Sequence, residues 1–272
     1  MVNLLVAAAL AAATPTAVPA VPAPSANPQP ALFVVRDSDT TIYIFGTFHA
    51  LDGEYAWFGD HLRNAFEQSD ELVLETLVPE RPSDVPPISS TFRPPSVTPS
   101  ASFLTTTRMA ISAGQAQGMK VGNGADMVLR HIAEAEGKTV EGLETLQLQL
   151  NMFNRMPSAR TAAAPVPKVG EPVAGGASSM HVLSKAMADM QSAWKRGDQN
   201  VFADMLDQLK VASPETYRMM FTERNERWAD WIRARMQLPG TVFVAVGAGH
   251  LAGKDSLLVR LAERGIPSQR VH

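Results

Sequence analysis

Two segments near opposite ends of the chain share one pattern, and this pattern limits the fold more than any other feature. They are IYIFGTFHAL at residues 42–51 and VFVAVGAGHL at residues 242–251. Each is a run of β-branched and aromatic residues followed by glycine, two further residues and histidine. Such runs predict buried strands, and glycine lets the chain turn sharply where a strand ends. We therefore expect two strands that each deliver a histidine to the edge of a sheet.

The rest of the sequence alternates between strand and helix patterns. A polar turn, DSDT, separates ALFVVRD from TIYIF and predicts a β-hairpin, while ELVLE and KTVEGLET predict short strands. Segments with apolar residues at helical spacing lie between and after them. This alternation predicts an α/β fold with a mixed central β-sheet flanked by helices. We expect one domain over residues 29–272, with proline-rich insertions near 78–99 and 157–178.

The first 28 residues have the composition of an export signal followed by a leader. VNLLVAAALAAA is too short to span a bilayer comfortably, and a proline- and alanine-rich tract follows it. This order predicts a signal peptide and a Pro/Ala-rich leader over residues 1–28. It also predicts a periplasmic or secreted protein with no transmembrane span in the mature chain. No Lys or Arg precedes the apolar run, so the alternative is an alanine-rich disordered leader.

Charge, cysteine content and missing motifs exclude several classes of protein. A net charge of −3 provides no basic surface for nucleic acid. The absence of cysteine excludes disulfides, thiolate catalysis and zinc knuckles. The sequence also lacks a glycine-rich phosphate loop, a serine nucleophile elbow and the zincin helix motif. Histidines and carboxylates are the remaining candidates for chemistry.

His49 and His250 are the first candidates for a functional site. If their strands are parallel neighbours, both imidazoles lie at the carboxyl edge of the sheet, where ligands gather in such folds. Two neutral imidazoles facing each other are suited to hold a metal ion, and Glu75 at the end of ELVLE would complete a His, His, Glu set. Gly46 and Gly247 supply the turn in each motif. The alternative is two unrelated histidines, each hydrogen-bonded locally.

Arg224 interrupts the apolar face of the helix predicted for SPETYRMMFTERNERWADWIRARM, and Asn225 lies at the edge of that face. Burying an arginine is costly unless it pairs with an anion. Arg224 is therefore expected to point into a site, to reach past the helix edge to solvent, or to pair with a core carboxylate. Asp126, within GAD, is either an acid that suits a helix N-terminus or a further residue that faces the site.

Six segments, in this order and at roughly this spacing, resemble the TraB/PrgY/GumN family: IYIFGTFHAL, ELVLE, GADMVL, VEGLETLQLQL, ERNERW and VFVAVGAGHLAG. The family is similar to the Tiki metalloproteases. The resemblance covers the chain from about residue 31 to 272 and implies a single α/β domain related to the erythromycin-esterase and ChaN-like folds. It also implies that the paired Gly-x-x-His motifs hold a divalent metal, with manganese or cobalt favoured. The acidic position of the family falls on Glu75, its Gly-Leu-Glu segment on Glu144, and its Arg-Asn pair on Arg224 and Asn225.

Together these expectations describe a metal-dependent hydrolase, a peptidase that acts on exported polypeptides through a metal-activated water. Imidazole and carboxylate ligands suit Zn, Mn or Co, so ligand type leaves the metal open. Glu144 is expected to act as general base or to orient an imidazole, and Arg224, beside Asn225, to stabilise the developing oxyanion. The predicted partner is a peptide or protein substrate. The alternative is a non-catalytic exported protein of the same fold that binds haem, iron or a peptide.

Overall fold

The strands described by the computed structural model form one mixed sheet. The described residues are 28–53, 55–77, 112–155 and 176–271. Within these ranges the strands are β1 (Leu32–Arg36), β2 (Thr40–Thr47), β3 (Glu71–Thr76), β4 (Thr139–Glu144), β5 (Gly240–Gly247) and β6 (Gln269–Val271). Their order across the sheet is β4-β3-β5-β2-β1-β6.

The centre of the sheet is parallel and one side of it is antiparallel. β5 pairs in parallel with β2 and β3, and β4 pairs in parallel with β3. β1 is antiparallel to β2, as the predicted hairpin requires, and β6 is antiparallel to β1. Gly46 lies opposite Val246, and Thr47 lies opposite Gly247. The two histidine motifs therefore follow parallel neighbouring strands, which is the condition on which the expected shared site depends.

Helices accompany this sheet, so the predicted α/β class is confirmed. Within the described ranges they are α1 (Asp60–Glu67), α2 (Ala125–Ala135), α3 (Leu146–Arg155), α4 (Gly176–Lys195), α5 (Asn200–Ala212), α6 (Pro214–Tyr217), α7 (Glu223–Arg235) and α8 (Leu257–Glu263). A π-helical turn, Arg218–Thr222, joins α6 to α7, and a 3-10 turn, Ala248–Leu251, follows β5.

Apolar side chains cover both faces of the central strands. Because side chains alternate along a strand, β5 sends Phe243 and Ala245 to one core and Val242, Val244 and Val246 to the other. Aromatic residues of the first core stack around these strands, and α7 supplies much of the second core. With both faces of these strands covered, as in other parallel sheets, the ends of the strands are where polar side chains can gather.

The predicted leader over residues 1–28 and the insertion near 78–99 lie outside the described residues, except for residue 28. The second insertion, near 157–178, lies outside the described residues up to residue 175, and α4 begins at Gly176. Within the described part of the chain, none of the helices combines the length and apolar character needed to cross a membrane.

Candidate functional site

The carboxyl ends of β2, β3 and β5 bring His49, Glu75 and His250 to one small region. The point where a Cβ atom on Gly247 would stand lies 3.1 Å from Glu75 Oε1, 3.2 Å from His49 Nε2 and 3.8 Å from His250 Cδ2. The N–H of Gly247 also donates a 2.6 Å hydrogen bond to Glu75 Oε1. Because Gly247 has no side chain, this point is not filled, and the three predicted ligands meet around it. We call it the space above Gly247.

Gly46 allows the end of β2 to pack closely against the 3-10 turn that follows β5. A Cβ atom there would lie 3.2 Å from Ala248 Cα and 3.3 Å from Leu251 Cδ1. The carbonyl oxygen of Gly46 accepts a 2.7 Å hydrogen bond from the buried indole of Trp194. The first motif is thus fastened to the turn of the second motif and to α4.

The hydrogen bonds of His250 define its tautomer. Arg224 Nη1 lies 3.1 Å from Nε2, and because a guanidinium only donates, Nε2 must accept. Asn225 Oδ1 lies 2.7 Å from Nδ1, while the Asn225 amide nitrogen donates to the carbonyl oxygen of Asp255. Nδ1 therefore carries the proton. Burial lowers the pKa of His250 to about 3, against the opposing charge of Glu75, so this ring is neutral at pH 7.

Arg224 joins the carboxylates of the site to His250. Nη2 donates to Glu75 Oε2 at 2.7 Å and Nε donates to Glu144 Oε2 at 2.9 Å, and the arginine side chain is only 5% exposed. The second oxygen of Glu144 accepts a 2.8 Å hydrogen bond from Arg227, whose side chain is 46% exposed. Of the three options for Arg224, pairing with a core carboxylate is the one observed, since Glu144 is buried and Glu75 is partly buried. Both oxygens of Glu144 are engaged by arginines.

The charges around Glu75 keep it ionised. Burial would raise the pKa of Glu75, but His250, Arg224, His49 and the N–H of Gly247 lower it to about 2. Since His250 is neutral at pH 7, the guanidinium of Arg224 is the permanent cationic partner. The site therefore holds a carboxylate and a neutral imidazole side by side, with His250 Nε2 3.8 Å from Glu75 Oε1.

His49 is held in a contrasting way, by a carboxylate instead of an amide. Its Nδ1 lies 3.2 Å from Asp126 Oδ2, where Asp126 belongs to the first turn of α2. Burial lowers the pKa of His49, but the hydrogen bond and charge of Asp126, with the charge of Glu75, outweigh it and raise the pKa to about 9. The ring is 59% exposed and keeps much of its hydration, so the raised direction follows from Asp126.

Aromatic rings and the π-helical turn complete the wall behind His250. Its ring centroid lies 4.9 Å from that of Phe221 and 4.4 Å from that of Trp228, and the Arg224 guanidinium lies 4.5 Å from the Trp228 centroid. Phe221 belongs to the π-helical turn, a feature that often marks functional sites. The turn shifts the helical phase, so Met219 is buried and Met220 is not, contrary to a regular face.

Of the comparisons with known proteins, one gives a match. The sequence matches the TraB/PrgY/gumN family over residues 31–89 and 88–270. The chain belongs to this family. No curated protein and no solved structure gives a significant match. The family match includes both histidine motifs as well as the strand ends and the helix that carry the other residues of the site.

A divalent metal at this site would have to compete with Arg224 for the Nε2 atom of His250. Among the described residues, no three His, Asp or Glu side chains stand close enough to hold a metal ion as they are. Arg224 Nη1 occupies the lone pair of His250 Nε2, while the space above Gly247 is open toward His49 and Glu75. The donor set fits a divalent cation chemically, because it offers two imidazole nitrogens and an ionised carboxylate. Binding through all three requires Arg224 Nη1 to move aside.

The six residues predicted from the sequence all lie in this region, but their neighbours were only partly predictable. Asp126 proved to face the site, one of its two sequence-based interpretations. Arg227 was missed, although its position three residues after Arg224 places it on the same side of α7. Asp255, whose carbonyl oxygen holds Asn225, leaves no signal in the sequence.

Proposed function

We propose that this protein is a divalent-metal-dependent hydrolase that cleaves peptide bonds in exported polypeptides. The observation that carries the proposal is the convergence of His49 Nε2, Glu75 Oε1 and His250 around the open space above Gly247. Imidazole nitrogen and carboxylate oxygen suit manganese, cobalt or zinc, and three protein ligands leave positions for water and substrate. The similarity of the family to the Tiki metalloproteases and the export signal predicted for residues 1–28 support a peptide substrate outside the cytoplasm.

A divalent cation held here supplies Lewis acidity, which polarises a carbonyl oxygen and lowers the pKa of water. The chain supplies orientation and charge. Asn225 and Asp126 each hold one imidazole through Nδ1, which leaves Nε2 of each ring for the site. The Nε2 atom of His250 accepts from Arg224 and becomes free for a metal only when this guanidinium moves aside. Arg224, fixed by two carboxylates, is the cation that would stabilise negative charge developing on a substrate oxygen.

Glu144 supports this chemistry by orienting an arginine. It was expected to act as general base or to orient an imidazole, yet its side chain is 2% exposed and each oxygen accepts from an arginine. A carboxylate so occupied is a poor proton acceptor. We assign it the role of fixing Arg224.

The proposal is tested by comparing the wild type with His49→Ala and His250→Ala. His181→Ala is the matched control, because His181 is an exposed histidine on α4 and takes part in none of the site contacts described above. Each protein is loaded with Mn²⁺, desalted, analysed for metal content and incubated with a library of unstructured peptides. We expect the wild type and the His181 variant to retain metal and cleave peptides, and both site variants to lose metal and cleavage together.

Full metal content in His49→Ala would overturn the shared site. Metal retention by the wild type without cleavage of any peptide would instead support the non-catalytic binding protein. A haemin titration distinguishes the haem-binding form of that alternative, because axial ligation by His49 or His250 would produce a shifted Soret band that either substitution removes.

A further inference from the structure

The two histidines of the site are held through the same atom by side chains of different chemistry. His250 Nδ1 meets the amide oxygen of Asn225 at 2.7 Å, and His49 Nδ1 meets a carboxylate oxygen of Asp126 at 3.2 Å. Asn225 is buried within the same helix as Arg224, whereas Asp126 comes from α2, on the other side of the site. The holder of His49 is therefore independent of the arginine network.

The main chain around Asp126 is fastened to the loop that carries His49. The N–H of Ala125 donates to the carbonyl oxygen of Phe48 at 3.0 Å. A Cβ atom on Gly124 would lie 2.5 Å from the carbonyl oxygen of His49, so only glycine permits this approach. An antiparallel bridge between Leu51 and Lys120 also joins the chain after His49 to the chain before α2. The first turn of α2 and the first motif are thus positioned as one unit.

The Asp126 carboxylate has little else to bind. Its Oδ1 is buried and, among the described residues, has no hydrogen-bond partner, while Oδ2 faces His49. An ionised carboxylate only accepts, so the proton of this hydrogen bond sits on His49 Nδ1. Nε2 is then the nitrogen that faces Gly247, 3.2 Å from the point where a Cβ atom on that residue would stand.

We infer that Asp126 is the positioning residue of His49: its carboxylate holds the proton on Nδ1 and directs Nε2 alone toward the site. The effect of Asp126 on metal affinity rests on the proposed function. Its effect on which nitrogen atom of His49 carries the proton does not. Asp126 touches neither metal nor substrate and acts only through the imidazole.

The test uses Asp126→Ala and Asp126→Asn, with Glu134→Ala as the matched control at an exposed position of the same helix. Metal-free proteins labelled with ¹⁵N-histidine are compared by long-range ¹H–¹⁵N NMR at pH 10, above the pKa of about 9 of His49, so that the ring is neutral and the two tautomers are distinguished. The His49 signals are assigned by their loss in His49→Gln. We expect a protonated Nδ1 in the wild type, the control and Asp126→Asn, because an amide oxygen also accepts. We expect an unprotonated Nδ1 in Asp126→Ala, because the free ring prefers the other tautomer.

A Mn²⁺ titration of the same proteins provides the second measurement. Loss of an outer partner of a ligating histidine weakens metal affinity by roughly 10–100-fold, so we expect this loss in Asp126→Ala and a smaller one in Asp126→Asn. An unchanged Nδ1 in Asp126→Ala, or failure of asparagine to restore it, would overturn the inference. A wild type that binds no Mn²⁺ would overturn the proposed function alone, since the NMR comparison still decides the role of Asp126. Should alanine prevent folding, as judged by circular dichroism, Asp126→Ser replaces it, because serine suits a first helical turn but is too short to reach Nδ1.

Discussion

Removing Arg224 should destabilise the protein far more than removing Arg227, although both arginines bind the same carboxylate. Arg224→Met deletes a buried cation that donates to Glu75 and Glu144 and contacts His250. Arg227→Met deletes a half-exposed cation that, among the described residues, donates to Glu144 alone. Methionine keeps much of the side-chain volume in each case, so the comparison isolates the charge and its hydrogen bonds.

The cost of Arg224→Met follows from the buried ion pairs that the substitution breaks. Breaking a buried ion pair by removing one partner costs about 3–5 kcal/mol, because it leaves a buried charge uncompensated. Against the effect of burial, His250, Arg224, His49 and the N–H of Gly247 together lower the pKa of Glu75 from 4.5 to about 2 in the folded protein. That drop corresponds to about 3 kcal/mol of stability at neutral pH, of which Arg224 supplies a part. For Arg227→Met we expect about 1 kcal/mol or less, as for other exposed ion pairs.

The cost should also depend on pH in a defined direction. Because the folded pKa of Glu75 lies below its unfolded value, its contribution is complete above about pH 4.5 and is lost as the pH falls toward about 2. The stability difference between the wild type and Arg224→Met should therefore shrink through this window. The difference for Arg227→Met should remain small throughout.

Urea unfolding followed by circular dichroism at 222 nm measures both variants without relying on Trp228, whose fluorescence the Arg224 substitution would alter directly. The reasoning is refuted if the two substitutions differ by less than about 1 kcal/mol at pH 7, a gap well below the cost expected for a broken buried pair. It is also refuted if the cost of Arg224→Met stays constant as the pH falls through the titration of Glu75.

Three further predictions concern the site and its support. Gly247→Ala should weaken Mn²⁺ affinity by roughly tenfold or more, because the added methyl group would stand 3.2 Å from His49 Nε2. The circular dichroism spectrum should stay unchanged. An unchanged affinity in a Mn²⁺ titration would contradict the shared site. Trp194→Phe should cost about 1–3 kcal/mol in urea unfolding, because it leaves the buried carbonyl oxygen of Gly46 without its 2.7 Å donor, and a variant as stable as the wild type would disprove this. Mn²⁺ affinity should rise by up to about tenfold per pH unit toward about pH 9, where His49 loses its proton. Calorimetry in two buffers should detect the proton that His49 releases when Mn²⁺ binds. A pH-independent affinity would exclude His49 as a ligand.

Much of the frame of the site could be predicted from local patterns. The apolar runs before Gly46 and Gly247 have the composition of buried strands, and both strands form where expected. ELVLE likewise forms β3 and ends at the same edge, with Glu75 among its last residues. These predictions succeed because strand formation and burial depend on alternation and composition over a few neighbouring residues.

The contacts of the charged side chains could not be predicted in the same way. Arg224 lies 149 residues from Glu75 and 80 residues from Glu144 in sequence, and no local pattern specifies either pairing. The π-helical turn before α7 adds a phase shift that a regular helical projection does not contain. For this reason the sequence left three options open for Arg224, and Glu144 was not recognised as its partner.

The amino-acid sequence by itself determined which strands exist, where each one turns, and that a histidine follows two of them, because β-propensity and hydrophobic alternation act over short distances. Only the tertiary structure decided that one imidazole is neutral beside Asn225 and Arg224 while the other shares its proton with Asp126. Protonation and hydrogen-bond partners depend on distances between groups that are remote along the chain, and those distances exist only after the sheet has brought its strand ends together.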